Sequence, residues 1–507
     1  MVLCQDSIVQ TASDPHSGTD AFAMAHFRQK SVTGTMNSGS SEAAVLLVIA
    51  LALLAGCGTS PVPSPLDGRN INLIFVVSED LAFHAPGDIN PATANLSSQG
   101  LQRSLLMATF LQQQVLGSKN VTAIYALEPT THPQTGNNYP DMAAPETVQQ
   151  FALLNQIVLS TEPTKWVPFR GHSFPINVSS PSQACPTCQG LDFADTNGDN
   201  EALVTSIIEK NSPGFYVFSV PWETTSAILT NIKNLRNYSL PVPESYQGPN
   251  IIYAISIAPS GGATMVSYDS NVRPLSTYPV LPPPKLVQSP CTTQAPFNIT
   301  VVGGKGGAVV PAGINTNETV YFIRHADAHP AGYWNDNNYV GAGQWRALAL
   351  PSALLGKMSP EMVYSIDPGQ FGPGSPGPTG ELSYSAVAPS LTAEPYAIAN
   401  GLPYNLVSSF QISDANAAAE ASAFFFNGRD LSNHKVLVAW VYQQIAPTVN
   451  ALLSTYHGDN SPAPAWPDTD YDSIWTITLD AHGNLNVNNG TCEGINSAAL
   501  PATPPQF

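Results

Sequence analysis

Charge is scarce in this chain. Only 11% of its 507 residues are Asp, Glu, Lys or Arg, against roughly a quarter in an ordinary globular protein. The shortage is worst on the positive side, where 18 Lys and Arg face 36 Asp and Glu for a formal net charge of -18. No basic cluster interrupts this balance, so DNA, RNA and anionic lipid surfaces find no general electrostatic footing, and nucleic-acid binding is excluded. Any phosphate must be held by a local pocket. Cysteine is also sparse, at six. Neither a second Cys pair nor a nearby His joins Cys185-Pro-Thr-Cys188 to complete a zinc site. Gly303-Gly-Lys-Gly-Gly307 lacks the spacing and the Ser or Thr of a phosphate loop. Asp195-Thr-Asn-Gly-Asp-Asn-Glu201 resembles a calcium loop, but Asn200 stands where Gly is needed and Ser206 where the chelating Glu belongs. Both segments are expected as turns, and no metal or cofactor is expected.

Apolar residues make up 43% of the chain and Pro numbers 46, so the expectation is globular domains joined by Pro-rich connections. Long apolar runs are missing apart from Ala43 to Ala55, which is about the length of a signal-peptide core and short of a membrane span. It ends in Leu54-Ala55-Gly56-Cys57, which resembles the lipobox of bacterial lipoproteins, followed by Ser, Pro and Gly. This resemblance implies export to the bacterial cell envelope and lipidation at Cys57, with the membrane as a partner through that anchor. Met24 would give a short leader carrying Arg28 and Lys30. Residues 1–57 are thus the leader and signal peptide, and 58–70 a tether. Cys185 and Cys188 are expected to form a local disulfide. Cys291 and Cys492 bracket the second half and are expected to pair.

The remainder repeats. Asn72-Leu-Ile-Phe-Val-Val77 is echoed by Thr319-Val-Tyr-Phe-Ile323. Asn95, Gly100, Arg103 and Leu105 match Asn338, Gly343, Arg346 and Leu348 at one constant offset. Apolar runs at 121–129, 215–222 and 251–257 are matched at 362–368, 436–440 and 473–479, and the helix openings Ala144-Pro and Ala388-Pro correspond. The runs are continuously apolar, as in strands buried on both faces. Helical patterns separate them. The expected fold is α/β, with two tandem domains at 71–272 and 299–490, each a mostly parallel sheet flanked by helices. A Pro-rich linker at 273–298 joins them, and 491–507 form a tail.

The most specific signal is Phe322-Ile-Arg-His-Ala-Asp-Ala-His-Pro330, followed by Gly343-Gln-Trp-Arg-Ala-Leu. It is similar to the Arg-His motif opening the histidine phosphatase superfamily, the group that includes phosphoglycerate mutases. The resemblance covers most of residues 315–485. It implies a phosphate-monoester ligand, His325 as the nucleophile that becomes phosphohistidine, and Arg324 as a clamp on the phosphoryl oxygens. Asp327 and His329 would line the pocket. Arg346 is expected as a solvated helix residue.

The pattern also departs from the family. A second His and a second Arg complete the family's pocket, but here Tyr442 occupies the His position, Val441 the acidic one beside it, and Ala388 the Arg position. Tyr442 offers one neutral hydrogen bond. His434 or His457 would have to reach in from loops to replace the missing groups. In the first repeat Val77-Ser78-Glu79-Asp80 stands at the Arg-His position, His84 follows, and Trp222-Glu223-Thr224 lacks the late His. That half is expected to be a non-catalytic copy. Two expectations follow for the second half: a weak phosphomonoesterase, or an inactive relative acting as a binding or scaffold module.

Overall fold

The computed structural model describes residues 63–80, 87–129, 131–132, 141–160, 176–177, 191–279, 291, 294–327, 341–366, 371–373, 383–385, 387–407, 416–458 and 461–501. Cys57, His84, Cys185, Cys188 and His329 lie outside the described residues, as do the leader and part of the linker. Val62–Phe507 form one compact unit. Among the described residues no helix is long and apolar enough to cross a membrane.

The strands are β1 (Ile71–Val77), β2 (Ile89–Asn90), β3 (Asn95–Leu96), β4 (Ala123–Ala126), β5 (Ile176–Asn177), β6 (Gly214–Val220), β7 (Ile251–Ile257), β8 (Ala263–Asp269), β9 (Asn298–Val301), β10 (Glu318–Arg324), β11 (Met362–Ile366), β12 (Phe371–Pro373), β13 (Ser383–Ser385), β14 (Tyr404–Val407), β15 (Lys435–Trp440), β16 (Ser473–Leu479) and β17 (Leu485–Cys492). The helices are α1 (Ser98–Phe110), α2 (Ala143–Ser160), α3 (Asp199–Lys210), α4 (Trp222–Leu235), α5 (Gly341–Ala353), α6 (Val387–Asn400), α7 (Ala417–Phe426) and α8 (Tyr442–Thr455).

Two mixed sheets carry the fold. The first has the order β5-β4-β6-β1-β7-β8, the second β14-β11-β15-β10-β16-β17-β9. In each, four strands run parallel and the following hairpin is antiparallel, pairing β7 with β1 and β16 with β10. The central strands β1 and β6 are buried at every residue, which explains their unbroken apolar sequences. The hairpin partner β17 alternates between buried and more exposed positions over most of its length, as one-sided antiparallel strands do, whereas β8 buries only Tyr268. β9 adds an edge to the second sheet that has no counterpart in the first among the described residues.

Helix α1 starts at Ser97, whose hydroxyl accepts from the Gly100 backbone N–H at 3.1 Å. Gly100 lies so close to the Asp88 carbonyl that a Cβ there would sit 2.2 Å from its oxygen, so this repeated glycine is fixed by close approach. The halves share one hydrophobic core, in which Met107, Val148 and Phe151 join Ala349, Leu350 and Tyr396. Polar ties cross the same seam: Gln344 Nε2 donates to Gln150 Oε1 at 2.7 Å, and Asn95 Nδ2 donates to the Leu402 carbonyl at 2.6 Å. A disulfide joins Cys291 to Cys492, with Cα atoms 5.5 Å apart.

Candidate anion-binding site

β10 delivers Arg324 and His325 to the C-terminal end of the second sheet's parallel strands. There the strand is flanked by parallel β15 and antiparallel β16. Open α/β sheets leave a crevice at such a place. The His325 backbone N–H continues the ladder by donating to the Trp440 carbonyl at 3.0 Å. The Ala326 N–H donates to Thr392 Oγ1 at 2.8 Å, and that hydroxyl donates to the Ala388 carbonyl at 2.8 Å. The start of α6 therefore braces the loop. Ala388, expected from the sequence to stand in place of a second Arg, packs with Ala326, Ala347 and Leu391.

His325 is 8% exposed. Its Nδ1 lies 2.9 Å from the Ala326 carbonyl oxygen, which can only accept. Nδ1 therefore carries the proton and Nε2 the lone pair. Burial first, and the Arg324 charge second, hold its pKa down to about 3. The imidazole is neutral across the physiological range.

Arg324 is 4% exposed. Its guanidinium carbon lies over two ring faces, 4.0 Å from the centroid of Tyr442 and 3.7 Å from that of Tyr471. Nη1 is bound by the Asp468 carbonyl and, at 3.3 Å, by the Asp470 carbonyl. Nε is buried and has no partner among the described residues. No hydrogen bond from Nη2 occurs there either. Nε and Nη2 form the side edge of the guanidinium, so among the described residues no group takes this two-pronged donor edge. Burial pulls the Arg324 pKa below its usual value, against the neighbouring tyrosines and carboxylates.

Arg346 and Asp327 differ from their sequence expectations. Arg346 is not solvated: it is 0% exposed. Its Nε donates to Asp327 Oδ2 at 2.5 Å, its Nη1 to Glu493 Oε2 at 2.6 Å, and its Nη2 to Ser497 Oγ at 2.7 Å and the Ile495 carbonyl at 3.1 Å. Asp327, expected in the pocket wall, is instead tied to that buried cation. A helix arginine with three of its four partners 147 to 151 residues away in sequence gives no local sign of burial. Tyr442 does stand beside Arg324 and His325, with ring centroids 6.5 Å apart in the latter pair. Tyr471 completes the surroundings at 6.1 Å from His325. It sits in an irregular loop, and sequence patterns did not single it out.

His434 and His457 do not reach the site. His434 directly precedes β15, and its carbonyl accepts from the Thr319 N–H at the start of β10. His457 follows the end of α8, next to Tyr456, whose hydroxyl donates to Gly483 in the turn after β16. Both therefore occupy the opposite end of the sheet, about 20 Å away for a seven-residue strand. The Lys and Arg residues from 299 onward are Lys305, Arg324, Arg346, Lys357, Arg429 and Lys435. Lys305, Arg429 and Lys435 lie at that far end too, by the pairing of Val301 with Leu485, the Arg429 N–H bond to Asn315 at 2.8 Å and the pairing of Lys435 with Thr319. Lys357 Nζ donates to the Glu493 carbonyl at 2.5 Å, and Arg346 holds the Glu493 carboxylate. Arg324 is thus the sole Lys or Arg of the second half that meets His325.

The equivalent end of the first sheet is built differently. The Ser78 N–H donates to the Val220 carbonyl at 3.1 Å, as His325 does to Trp440, so Val77 and Ser78 take the places of Arg324 and His325. The acidic residues that follow are internally satisfied. Glu79 Oε2 accepts from the Gly87 and Asp88 N–H groups at 3.0 and 2.8 Å. His132 places Nε2 2.9 Å from Asp80 and Nδ1 3.3 Å from Asp141. Burial would lower its pKa, but the carboxylates outweigh burial and raise it.

No protein-family model and no curated protein sequence matches the chain. Solved structures that superpose on part of it include a protein assigned as the phosphohistidine phosphatase SixA from Agrobacterium tumefaciens. It is 14% identical, covers 32% of this chain and 91% of that one, and has a TM-score of 0.20. A phosphoserine phosphatase from Entamoeba histolytica is 13% identical over 34% and 97% of the two chains, with a TM-score of 0.20. A SixA assignment from Nakamurella multipartitia is 18% identical over 39% and 96%, with a TM-score of 0.21.

Proposed function

We propose that residues 299–490 form a histidine-phosphatase-like unit that binds an oxyanion at Arg324 and has lost nearly all phosphoryl-transfer turnover. The carrying observation is the shortage of cations around His325. Phosphoryl transfer spreads charge over three equatorial oxygens that must be neutralised together. Here one guanidinium meets His325, and the places of the family's second His and Arg hold Tyr442 and Ala388. Losing one preorganised donor costs about a hundred- to a thousandfold in rate, and two are missing.

A slow phosphomonoesterase is the second reading. The anchored, neutral imidazole of His325 favours it, because Nε2 keeps the lone pair a nucleophile needs. The purified chain assayed with an aryl phosphate, beside His325→Ala, separates the two. The binding-module reading expects no release that depends on His325. Turnover near 1 s⁻¹, ordinary for an enzyme, that vanishes in His325→Ala would establish the phosphatase instead.

The first half fits a duplicated, non-catalytic copy, supported by the shared strand order and by Val77 and Ser78 in the places of Arg324 and His325. The leader supports an exported, lipid-anchored protein of a bacterial envelope. Labelled palmitate should enter the wild type and not Cys57→Ala, and label in both would remove the anchor.

A further inference from the structure

Resting on the reading of Arg324 as an oxyanion clamp, we propose that its open Nε–Nη2 edge takes a carboxylate in preference to a phosphate dianion. Charge, geometry and shape at the site point the same way.

The first is charge. His325 is neutral, Arg346 and Lys357 are committed to Glu493, and the remaining second-half cations lie at the far end of the sheet. A single positive group in a buried setting balances one negative charge and leaves the second charge of a phosphate monoester uncompensated. The Asp470 carboxylate, which lies close enough to act on Arg324, makes a second negative charge less welcome still.

The second is geometry. The Nη1 corner is occupied by the Asp468 and Asp470 carbonyls, so the guanidinium cannot swing to offer another edge. What remains is two parallel N–H bonds, which match the two oxygens of a carboxylate. Nε is buried and unsatisfied without a ligand, and such a group is costly to leave unpaired.

The third is shape. The faces of Tyr442 and Tyr471 crowd the guanidinium carbon at 4.0 and 3.7 Å. A carboxylate lies flat in the guanidinium plane. A tetrahedral phosphate projects oxygens out of that plane toward space the rings take. The rings also suit a carboxylate borne on a flat apolar body, which makes benzoate a suitable probe.

The experiment is calorimetric titration of the full-length chain with benzoate, inorganic phosphate and phenyl phosphate near pH 8, where the phosphates are mostly dianions. In parallel, the Arg324 Nε–H resonance is followed in arginine-labelled protein. Benzoate should bind at least about tenfold more tightly than either phosphate and move that resonance. Arg324→Lys keeps the charge but loses the fork, and should weaken benzoate by about tenfold or more. Should that variant unfold, the wild-type resonance shift and the benzoate-to-phosphate ratio still decide. Phosphate binding as tight as benzoate, with the Nε–H shift, would overturn the carboxylate preference and leave the clamp reading standing. No shift and no saturation with any of the three would remove both.

Discussion

Two histidines at equivalent ends of the two sheets are driven in opposite directions by their neighbours. His132 lies between Asp80 and Asp141, which stabilise its proton. His325 lies beside Arg324 in a buried site that resists one. The consequence for His325 is measurable. Unfolded, it takes a proton near pH 6.5, whereas folded it resists until about pH 3. Its contribution to stability is therefore complete above pH 6.5 and is lost as the pH falls through that window, at up to about 1.4 kcal/mol per pH unit. Urea unfolding at pH 7 and pH 4.5 should show a larger loss for wild type than for His325→Asn. Equal losses would mean that the imidazole accepts its proton in the folded state. At this scale the sequence was legible where the motif is local: Arg324 and His325 are adjacent and sit at a strand end, as their apolar lead-in predicts. Tyr471, Asp468 and Asp470 come from an irregular loop over 140 residues downstream, where no periodicity marks them.

Among the elements, α5 depends most on a single side chain. Arg346 gathers Asp327, Glu493, Ser497 and the Ile495 carbonyl into one buried cluster, which ties α5 to the loop after β10 and to the chain end beyond β17. Burial pushes the Glu493 carboxyl up to about 8, against the pull of Arg346. Replacing Arg346 by Met would strand both carboxyl groups, and a loss of about 3–5 kcal/mol is expected from denaturant unfolding. A loss under about 1 kcal/mol would mean that the carboxyls accommodate without the cation. The constant offset between Arg103 and Arg346 was visible in the sequence, but burial was not, because a helix arginine is solvated by default. Strand positions were legible from apolar runs. The direction of β8, β9 and β17 was not, since their half-exposed, polar-rich sequences carry no long buried run and their pairing is set by the sheet edge they meet.

Across the whole molecule the seam between the halves is unusual in holding carboxyl groups away from water. Glu146 on α2 and Glu394 on α6 are both fully buried. Burial raises both well above the usual carboxyl range, and each feels the charge of others nearby, Asp141 on Glu146 and Glu146 on Glu394. A raised folded pKa means stability is greatest below the unfolded value near 4.3 and falls as the pH rises toward the folded pKa. Glu394→Gln should therefore resist urea better than wild type at pH 8.5, with the difference shrinking toward pH 4.5. A variant weaker than wild type at both pH values would show that the carboxylate itself is needed. The repeat was legible as two similar runs of elements. Their shared core was not, because the pairing of Ala349, Leu350 and Tyr396 with Met107 and Phe151 depends on how two amphipathic helix pairs meet.

The Cys291–Cys492 bond spans a sequence separation of 201. Tension applied between the two ends of the chain would cross that sulfur bridge and bypass everything inside it. A pull could unravel the first half, while the Arg324 site, enclosed in the covalent loop, would carry no load.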